Sequence, residues 1–308
     1  METSKEVKTL QSKIDFAVIF SVNGANPNGD PLNGNRPRTN YDNLGEVSDV
    51  CIKRKIRNRL MEAGHKIFVQ SDDNKVDDHL SLRSRQSAFE KKYKVTDKKN
   101  SDKDGFIKAV CDEWIDVRSF GQVFAYGKDK EAEDSQGISI GIRGPVSLHS
   151  AFSAAPVNSS ISSIQITKSC SGEGDGTKKA SDTMGMKHRV DHGVYATYGA
   201  INPQLALKTL FKNEDAKAIK NALEHLFDND ASSARPEGSM EVVAVLWWQH
   251  NSKNGQYSSA MVHRSLSVDL KDGITEPRTI EDYSIKLKAL ADLEPEIFNP
   301  NNVAIERI

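Results

Sequence analysis

A single apolar run near the start of the chain constrains the fold more than any other feature of the sequence. Residues 14–23 read IDFAVIFSVN, and β-branched and aromatic side chains fill most of the positions. Such a run predicts a β-strand that is buried on both faces, so other elements must pack on each side of it. Residues 24–43 are rich in Gly, Asn, Asp and Pro and predict a long loop. Loops of this length in compact domains are uncommon and are usually functional or disordered.

The segment after this loop predicts an amphipathic helix. Ser48 is suited to cap its first turn, Ile52, Ile56 and Leu60 recur on one face, and Gly64 ends the pattern. Residues 66–70 then predict a short strand. The order strand, loop, helix, strand is that of half a ferredoxin-like fold.

The rest of the chain predicts further core elements separated by insertions. Residues 71–104 contain 8 acidic and 9 basic side chains, so we expect a solvated, finger-type insertion outside the core. Residues 106–115 predict a helix, and residues 145–190 include a projecting, hairpin-like insertion.

Four later segments, three strands and a helix, complete the core. Strands are predicted over residues 138–148, 188–198 and 241–249. A second long helix is predicted to start at the N-cap Asn202 and Pro203. Its predicted buried face comprises Leu207, Leu210, Phe211, Ala218, Ala222 and Leu226. We therefore predict one α+β domain over residues 1–308, with a ferredoxin- or RRM-like core carrying large insertions.

Composition limits the class of protein. The net charge of −1, with 28 % charged residues, argues against the uniformly basic surface of a free-standing nucleic-acid binder, so any nucleic acid must meet local clusters. No apolar run approaches the roughly 18 residues of a membrane span, and the start of the chain is polar, so we expect a cytoplasmic protein without membrane association. The three cysteines lie about sixty residues apart and predict neither disulfides nor a zinc site. We expect no metal and no cofactor.

The strongest candidate for binding chemistry is a basic cluster. Residues 36–59 hold seven basic side chains against three acidic ones: Arg36, Arg38, Lys53, Arg54, Lys55, Arg57 and Arg59. On the predicted helix, Lys53 with Arg57 and Lys55 with Arg59 are like-charge i, i+4 pairs, which cost stability. A phosphate backbone would explain them, because guanidinium groups match phosphate oxygens and neutralised phosphates release counterions. A solvated helix face explains the charge about as well.

The loop before this helix adds amide side chains. Asn23, Asn26 and Asn28 offer groups that suit phosphate, ribose 2′-hydroxyl and base edges. The alternative is an ordinary Asn/Gly turn cluster.

Two short motifs place an arginine beside a glycine. Arg118 to Gln122 reads RSFGQ, and Arg143 is followed by Gly144. A glycine lets another backbone come close while the arginine supplies charge, but a buried structural arginine explains either motif equally.

Met184 and Met186 flank a glycine and run into the basic residues that follow, as apolar wedges between nucleotides do. The usual place of a methionine is the core. His188 and His192 have i, i+4 spacing in a strand-like stretch and are more simply structural.

Taken in order, several motifs resemble one known family. NGANPNGDPLNGNRPR, SDVCIKRKIRNRL, RSFGQVFA, IGIRGPVSLHSAFS, MGMKHRVDHGVYATYGAINP and VVAVLWWQH look like the backbone subunit of the type I-C CRISPR surveillance complex (Cascade), in the RAMP superfamily. The resemblance runs from about Ile14 to Val268.

The resemblance implies an RRM-like palm with fingers and a thumb hairpin. It also implies several copies stacked as a helical filament along one guide RNA. The implied RNA-gripping residues are Asn23, Asn26, Asn28, Arg36, Arg38, Lys53, Arg54, Arg57, Arg118, Gln122 and Arg143. Met184 or Met186 is the implied base wedge of the thumb.

Further implied partners are the target DNA strand, a subunit that caps the 5′ end of the guide, large and small subunits, and a recruited helicase-nuclease. The resemblance implies no catalysis by this chain. One alternative stays open, because related type III subunits cleave target RNA with an aspartate in the corresponding loop, where this chain has Asp30. A guide-processing nuclease with a general-base His188 or His192 is a second alternative.

Overall fold

The computed structural model describes residues 9–93, 103–125, 139–157 and 186–308. The strands are β1 (Ile14–Ala25), β2 (Gly29–Asp30), β3 (Arg36–Pro37), β4 (Leu44–Val47), β5 (Gly121–Ala125), β6 (Ser139–Arg143), β7 (Val146–Leu148), β8 (Ala151–Pro156), β9 (Val190–Ile201), β10 (Met240–Gln249), β11 (Leu266–Leu270), β12 (Tyr283–Leu287), β13 (Glu296–Phe298) and β14 (Ile305–Arg307). The helices are α1 (Asp49–Glu62), α2 (Leu82–Lys92), α3 (Lys103–Glu113), α4 (Ile115–Phe120), α5 (Pro203–Thr209), α6 (Asn213–Glu224) and α7 (Ser259–His263).

Strand β1 lies at the centre of the main sheet. It pairs antiparallel with β10 on one side and with β9 on the other. Phe16, Val18 and Phe20 are fully buried in one apolar cluster, and Ala17 and Ile19 are fully buried in a second cluster on the opposite face. The predicted strand buried on both faces is therefore confirmed.

The main sheet is antiparallel and has the order β13-β10-β1-β9-β8-β4, with β7 also paired to β9. Helices α1 and α6 cover the face that carries Phe16, through Ile52, Ile56, Ile219 and Leu223. The prediction for α1 is confirmed, since Ser48 Oγ accepts a hydrogen bond from the Cys51 N–H at 3.3 Å and the apolar positions face the sheet.

A second sheet, which the sequence did not lead us to predict, covers the other face. Strands β11, β12 and β14 form it. Leu266 and Ile285 from this sheet, with Val262 of α7, pack against Ala244 and Leu246 of β10. This sheet supplies the apolar cover that a two-sided β1 requires.

The strand predicted at residues 66–70 does not form. The backbone N–H groups of Phe68 and Val69 instead donate to the Asp116 carboxylate, at 2.7 and 3.0 Å. Their carbonyls accept from Arg85 and Arg54. Side chains therefore satisfy backbone groups that a sheet would otherwise pair.

The predicted second long helix is two helices. Leu210 adopts a left-handed conformation, with φ of 62°, and separates α5 from α6. Asn202 caps α5 and Pro203 starts it, as predicted. Leu207, expected on the buried face, is instead 62 % exposed on α5.

The charged insertion contains ordered, partly buried structure. Phe89 of α2 packs in a third apolar cluster with Phe68, Trp114 and Phe124, separate from the sheet. Residues 94–102 lie outside the described residues. Of the segment 145–190, residues 146–156 supply β7 and β8 to the main sheet, whereas the centre of the predicted hairpin, 158–185, lies outside the described residues.

The two Arg-Gly motifs meet each other. Strands β5 and β6 pair with Gly121 opposite Arg143, and a Cβ on Gly144 would stand 2.2 Å from the Ser119 carbonyl oxygen and 2.5 Å from the Gly121 nitrogen. The close backbone approach that these glycines allow is therefore between segments of this chain.

We expect Gly144→Ala to lower the free energy of unfolding by about 2 kcal/mol or more, because the clash is with backbone atoms that have little room to move. Urea denaturation monitored by circular dichroism would measure it. Gly141→Ala is the matched control: it lies in β6, three residues before Gly144, a Cβ there meets nothing within 4 Å, and it should change stability by about 1 kcal/mol or less. Equal effects of the two substitutions would contradict the backbone contact.

Candidate nucleic-acid interface

Two asparagines hold the loop between β1 and α1 in place. The buried Asn26 donates from Nδ2 to the Asn35 carbonyl at 2.7 Å, which fixes the small hairpin of β2 and β3. Asn28 Oδ1 accepts from both the N–H and the hydroxyl of Ser48, at 2.9 Å each. These amides tie the loop to the start of α1, so their part in any RNA contact is to position the loop.

The outer side of the loop offers cations and exposed apolar groups. Arg36 is half-buried and makes no ion pair with the described residues, and Arg38 lies 3.6 Å from Asp30. Leu32 and Tyr41 are almost completely exposed. Sequence reasoning missed Tyr41, although a lone aromatic side chain in a polar loop is the signal that finds it.

Acidic partners account for much of the basic charge on α1. Lys55 pairs with Asp230 and Arg59 pairs with Glu62, and both cations are buried. Burial lowers the pKa of Lys55, and the nearby Asp230 opposes that shift. The like-charge pair is therefore compensated within the fold.

Arg57 serves the fold as well. Its Nε lies 3.0 Å from Asp116 Oδ2, and this carboxylate, 1 % exposed, also accepts from Phe68 and Val69. Arg57 is thus one of three donors to the buried Asp116 carboxylate, which holds the 66–70 segment in place.

The outer side of α1 keeps Lys53 and Arg54. Lys53 pairs with Asp49 at 2.9 Å and stays partly exposed, and its ammonium lies 5.9 Å from the centre of the Phe120 ring. Arg54 donates to the Val69 carbonyl at 2.8 Å, and burial lowers the pKa of its guanidinium. Both side chains lie on the helix that follows the loop of Arg36 and Arg38.

The remaining predicted contacts lie elsewhere. Arg118 donates to both oxygens of Asp215, at 2.8 and 3.0 Å, and joins α4 to α6, which is the structural role that the sequence left open. Gln122 donates to the Val123 carbonyl at 3.1 Å. Arg143 is exposed and lines a separate groove with α3 and α5.

Asn23 lies at the end of β1 from which the loop leaves, opposite His192 of β9. Asn23 Oδ1 lies 2.6 Å from His192 Nδ1, and burial lowers the pKa of His192. His188 is buried. Met186 is 65 % exposed and so is not a core methionine, whereas Met184 lies outside the described residues.

Asp30 caps a short 3-10 helix. Its carboxylate accepts from the Leu32 N–H at 3.1 Å and faces Arg38. Among the described residues, no group of three or more His, Cys, Asp or Glu side chains could hold a metal ion.

Comparison with known protein families decides the relationship. The family model for "CRISPR-associated protein Cas7" matches residues 12–288. This chain belongs to the Cas7 family. A protein named CRISPR-associated protein Cas7 from Haloferax volcanii is 22 % identical over 234 residues, which cover 73 % of this chain and 67 % of that protein.

One solved structure shares the fold of this chain. A chain of a "CRISPR RNA-guided surveillance complex, pre-nicking" superposes on this Cas7-family chain with a TM-score of 0.50 and 11 % identity, covering 96 % of both chains. A chain of a second CRISPR RNA-guided surveillance complex gives a TM-score of 0.42 with 14 % identity, covering 96 % of this chain and 94 % of the other. No helix in the described ranges is long and apolar enough to cross a membrane.

The geometry of this Cas7-family chain separates basic residues that stabilise the fold from those that face outward. We expect Arg57→Ala to lower the free energy of unfolding by about 3 kcal/mol, because it leaves the buried Asp116 without its cationic partner. Lys53→Ala, on the same helix, should cost about 1 kcal/mol or less, because its ion pair is partly exposed. Guanidinium denaturation of both variants measures the difference, and an equal, small effect would show that Arg57 is not a structural residue.

Proposed function

We propose that this Cas7-family chain is an RNA-binding backbone subunit of a CRISPR surveillance complex and that it holds the guide RNA. The observation that carries the proposal is the surface formed by the β1–α1 loop and the outer side of α1. There the partly exposed Arg36, Arg38 and Lys53 and the fully exposed Tyr41 lie on or beside a loop that Asn26 and Asn28 hold in place.

This surface fits an RNA backbone physically. The arginines and the lysine supply positive charge to phosphates without selecting a sequence, and Tyr41 offers a ring on which an unpaired base can stack. Because Asn26 and Asn28 fix the loop in advance, little conformational entropy is lost on binding. Specificity would come from base pairing between the guide and its target.

The proposed contacts fall into groups by what each side chain already touches. Asn23, Arg36, Arg38, Lys53 and Arg54 would contact RNA directly. Asn26, Asn28, Arg57 and Arg118 would position the contacting segments through their hydrogen bonds to the rest of the chain. Gln122 and Arg143 stay proposed contacts at the β5–β6 hairpin, and Met184 or Met186 the proposed base wedge.

The main sheet supports a more specific architecture. We propose that β1, β8, β9 and β10 are an RRM-like palm, because their order, β10-β1-β9-β8, and the helices α1 and α6 on one face follow the βαββαβ arrangement. The finger would be the cluster around Phe89, and the thumb would include residues before β9.

The motifs quoted from the sequence further support a type I-C assignment. On that proposal several copies stack along one guide RNA in the cytoplasm and present it to the target DNA strand. The other partners would be 5′-end-capping, large and small subunits and a recruited helicase-nuclease. We propose that this chain itself does not cut, because Asp30 is engaged as a helix cap and an arginine partner.

Replacing Arg36, Arg38 and Lys53 by Ala together should weaken binding to unrelated single-stranded RNAs alike. It should also reduce the magnitude of the slope of log affinity against log salt by about 2, because each phosphate contact to a single strand contributes about 0.7 to that slope. Fluorescence anisotropy across a salt series measures both quantities.

A matched control removes the same charge elsewhere. Lys217, Lys253 and Lys271 are exposed and lie outside this surface, so replacing these three by Ala should leave the slope unchanged. If the two triple variants lose affinity and slope equally, general electrostatic attraction explains binding and the proposed surface is refuted.

Asp30→Ala tests the cleaving alternative. We expect the assembled complex to bind its DNA target as before and to leave a complementary, labelled RNA uncut both with and without Asp30. RNA cleavage by the wild-type chain that disappears in Asp30→Ala would instead favour the type III-like ribonuclease.

A further inference from the structure

We propose that a cationic groove between α3, β6 and α5 docks the acidic loop 72–80 of a second copy of this chain. The inference rests on the proposed function for its setting, copies held side by side on one RNA. The contact itself is argued from the two surfaces of the chain.

The groove has an apolar floor and an unmet polar group. Its volume is about 420 Å³, and Ile107, Ile142 and Leu205 contribute apolar lining. Thr209 also lines it, and the Thr209 hydroxyl is buried without a hydrogen-bond partner among the described residues. Leu207, 62 % exposed, stands at the same groove.

The rim of the groove is predominantly basic. Lys108 and Lys208 are exposed, and neither side chain makes an ion pair or hydrogen bond within the described part of the chain. Asp104 is the acidic lining residue. No carboxylate of the described residues pairs with either lysine, so the groove favours a ligand that is acidic and partly apolar.

The loop over residues 72–80 has the complementary character. Its sequence, DDNKVDDHL, carries four aspartates against one lysine. Val76 and Leu80 are 72 % and 83 % exposed. Asp77 is paired with Arg85, which leaves Asp72, Asp73 and Asp78 without an ion pair in the described structure. Exposed aliphatic side chains in the same loop as these carboxylates match a groove with an apolar floor and a basic rim.

The loop presents these groups from a fixed backbone. Asp77 receives two hydrogen bonds from Arg85, both at 2.7 Å, and the Val76 N–H donates to Gln70 Oε1 at 3.0 Å. Val76 and Leu80 are therefore exposed although the loop is anchored, and docking would cost little ordering entropy.

Because loop and groove share no residue, a contact between copies joins different surfaces head to tail. Such heterologous contacts propagate into rings or open helical arrays. One loop in one groove buries less than the roughly 1,200 Å² typical of a stable complex, so the contact should be weak in solution. RNA that holds two copies together would raise their effective concentration and make the contact between them detectable.

Cross-linking without RNA tests the contact alone. An equal mixture of ¹⁴N- and ¹⁵N-labelled full-length chain is treated at high concentration with a zero-length carbodiimide, which joins carboxylates to amines in direct contact. We expect mixed-isotope links from Asp72 or Asp78 to Lys108 or Lys208. Their absence would overturn the proposal, whatever the chain does with RNA.

Charge reversal then tests the contact on RNA. Lys108→Glu with Lys208→Glu, or Asp72→Lys with Asp78→Lys, should each lower cooperativity on an RNA long enough for several copies by about tenfold or more, because like charges then face each other. All four changes in one chain restore opposite charges and should restore cooperativity. On an RNA that holds one copy, all variants should bind as the wild type does.

The outcomes separate this inference from the proposed function. Failure of the wild-type chain to bind the short RNA would refute the guide-holding role, and the cross-links would still decide the docking. Lower affinity of the Lys108 and Lys208 variant for the short RNA, without rescue by the reversed loop, would show that the groove binds nucleic acid and would overturn the docking.

Discussion

The two-sided burial of β1 is the constraint on which the rest of the structure depends. A strand with Phe16 and Phe20 on one face and Ala17 and Ile19 on the other needs a layer on each side. Helices α1 and α6 supply one layer, and the β11–β12–β14 sheet supplies the other. The β1–α1 loop follows directly from this buried strand, so the loop that carries Arg36 and Arg38 is attached to the core of the chain.

Buried and partly buried carboxylates pair with part of the positive charge of the chain and so give it a role in folding. Arg57 pairs with Asp116, which lies 59 residues away in the sequence. Arg118 pairs with Asp215 across 97 residues, and Lys55 pairs with Asp230 across 175 residues. Each pair joins elements distant in sequence, and removing one member leaves a buried charge unpaired. Other cations of the described residues, such as Lys108 and Lys208, have no such partner and are exposed, so a ligand can reach them.

Local sequence patterns predicted the elements whose stability is local. The Ser48 cap and the Ile52, Ile56, Leu60 stripe are sufficient to define α1, and Asn202 with Pro203 defines the start of α5. Patterns failed where a distant partner decides. Residues 66–70 have the composition of a strand, but Asp116 takes their backbone N–H groups, and no local rule identifies that carboxylate.

The same distinction between local and distant signals applies to the residues of the candidate site. Sequence identified the loop and the basic helix, because both are composition signals. It did not distinguish Arg36, which is free of an acidic partner in the described structure, from Arg57, which is bound to Asp116, since that difference depends on which carboxylate the fold brings near. Tyr41 differs from both: the sequence shows a lone aromatic residue in a polar loop, but its almost complete exposure in the structure drew attention to it.

The short edge strands of the main sheet affect how copies of the chain behave when they lie close together. The longest strands, β1, β9 and β10, lie inside the sheet, whereas the terminal strands β4 and β13 have only four and three residues. Open strand edges invite pairing between chains, and short edges offer few unpaired backbone groups for it. Neighbouring copies bound along one RNA would therefore have little tendency to pair edge to edge into a continuous sheet. Contacts between side chains could then determine their spacing.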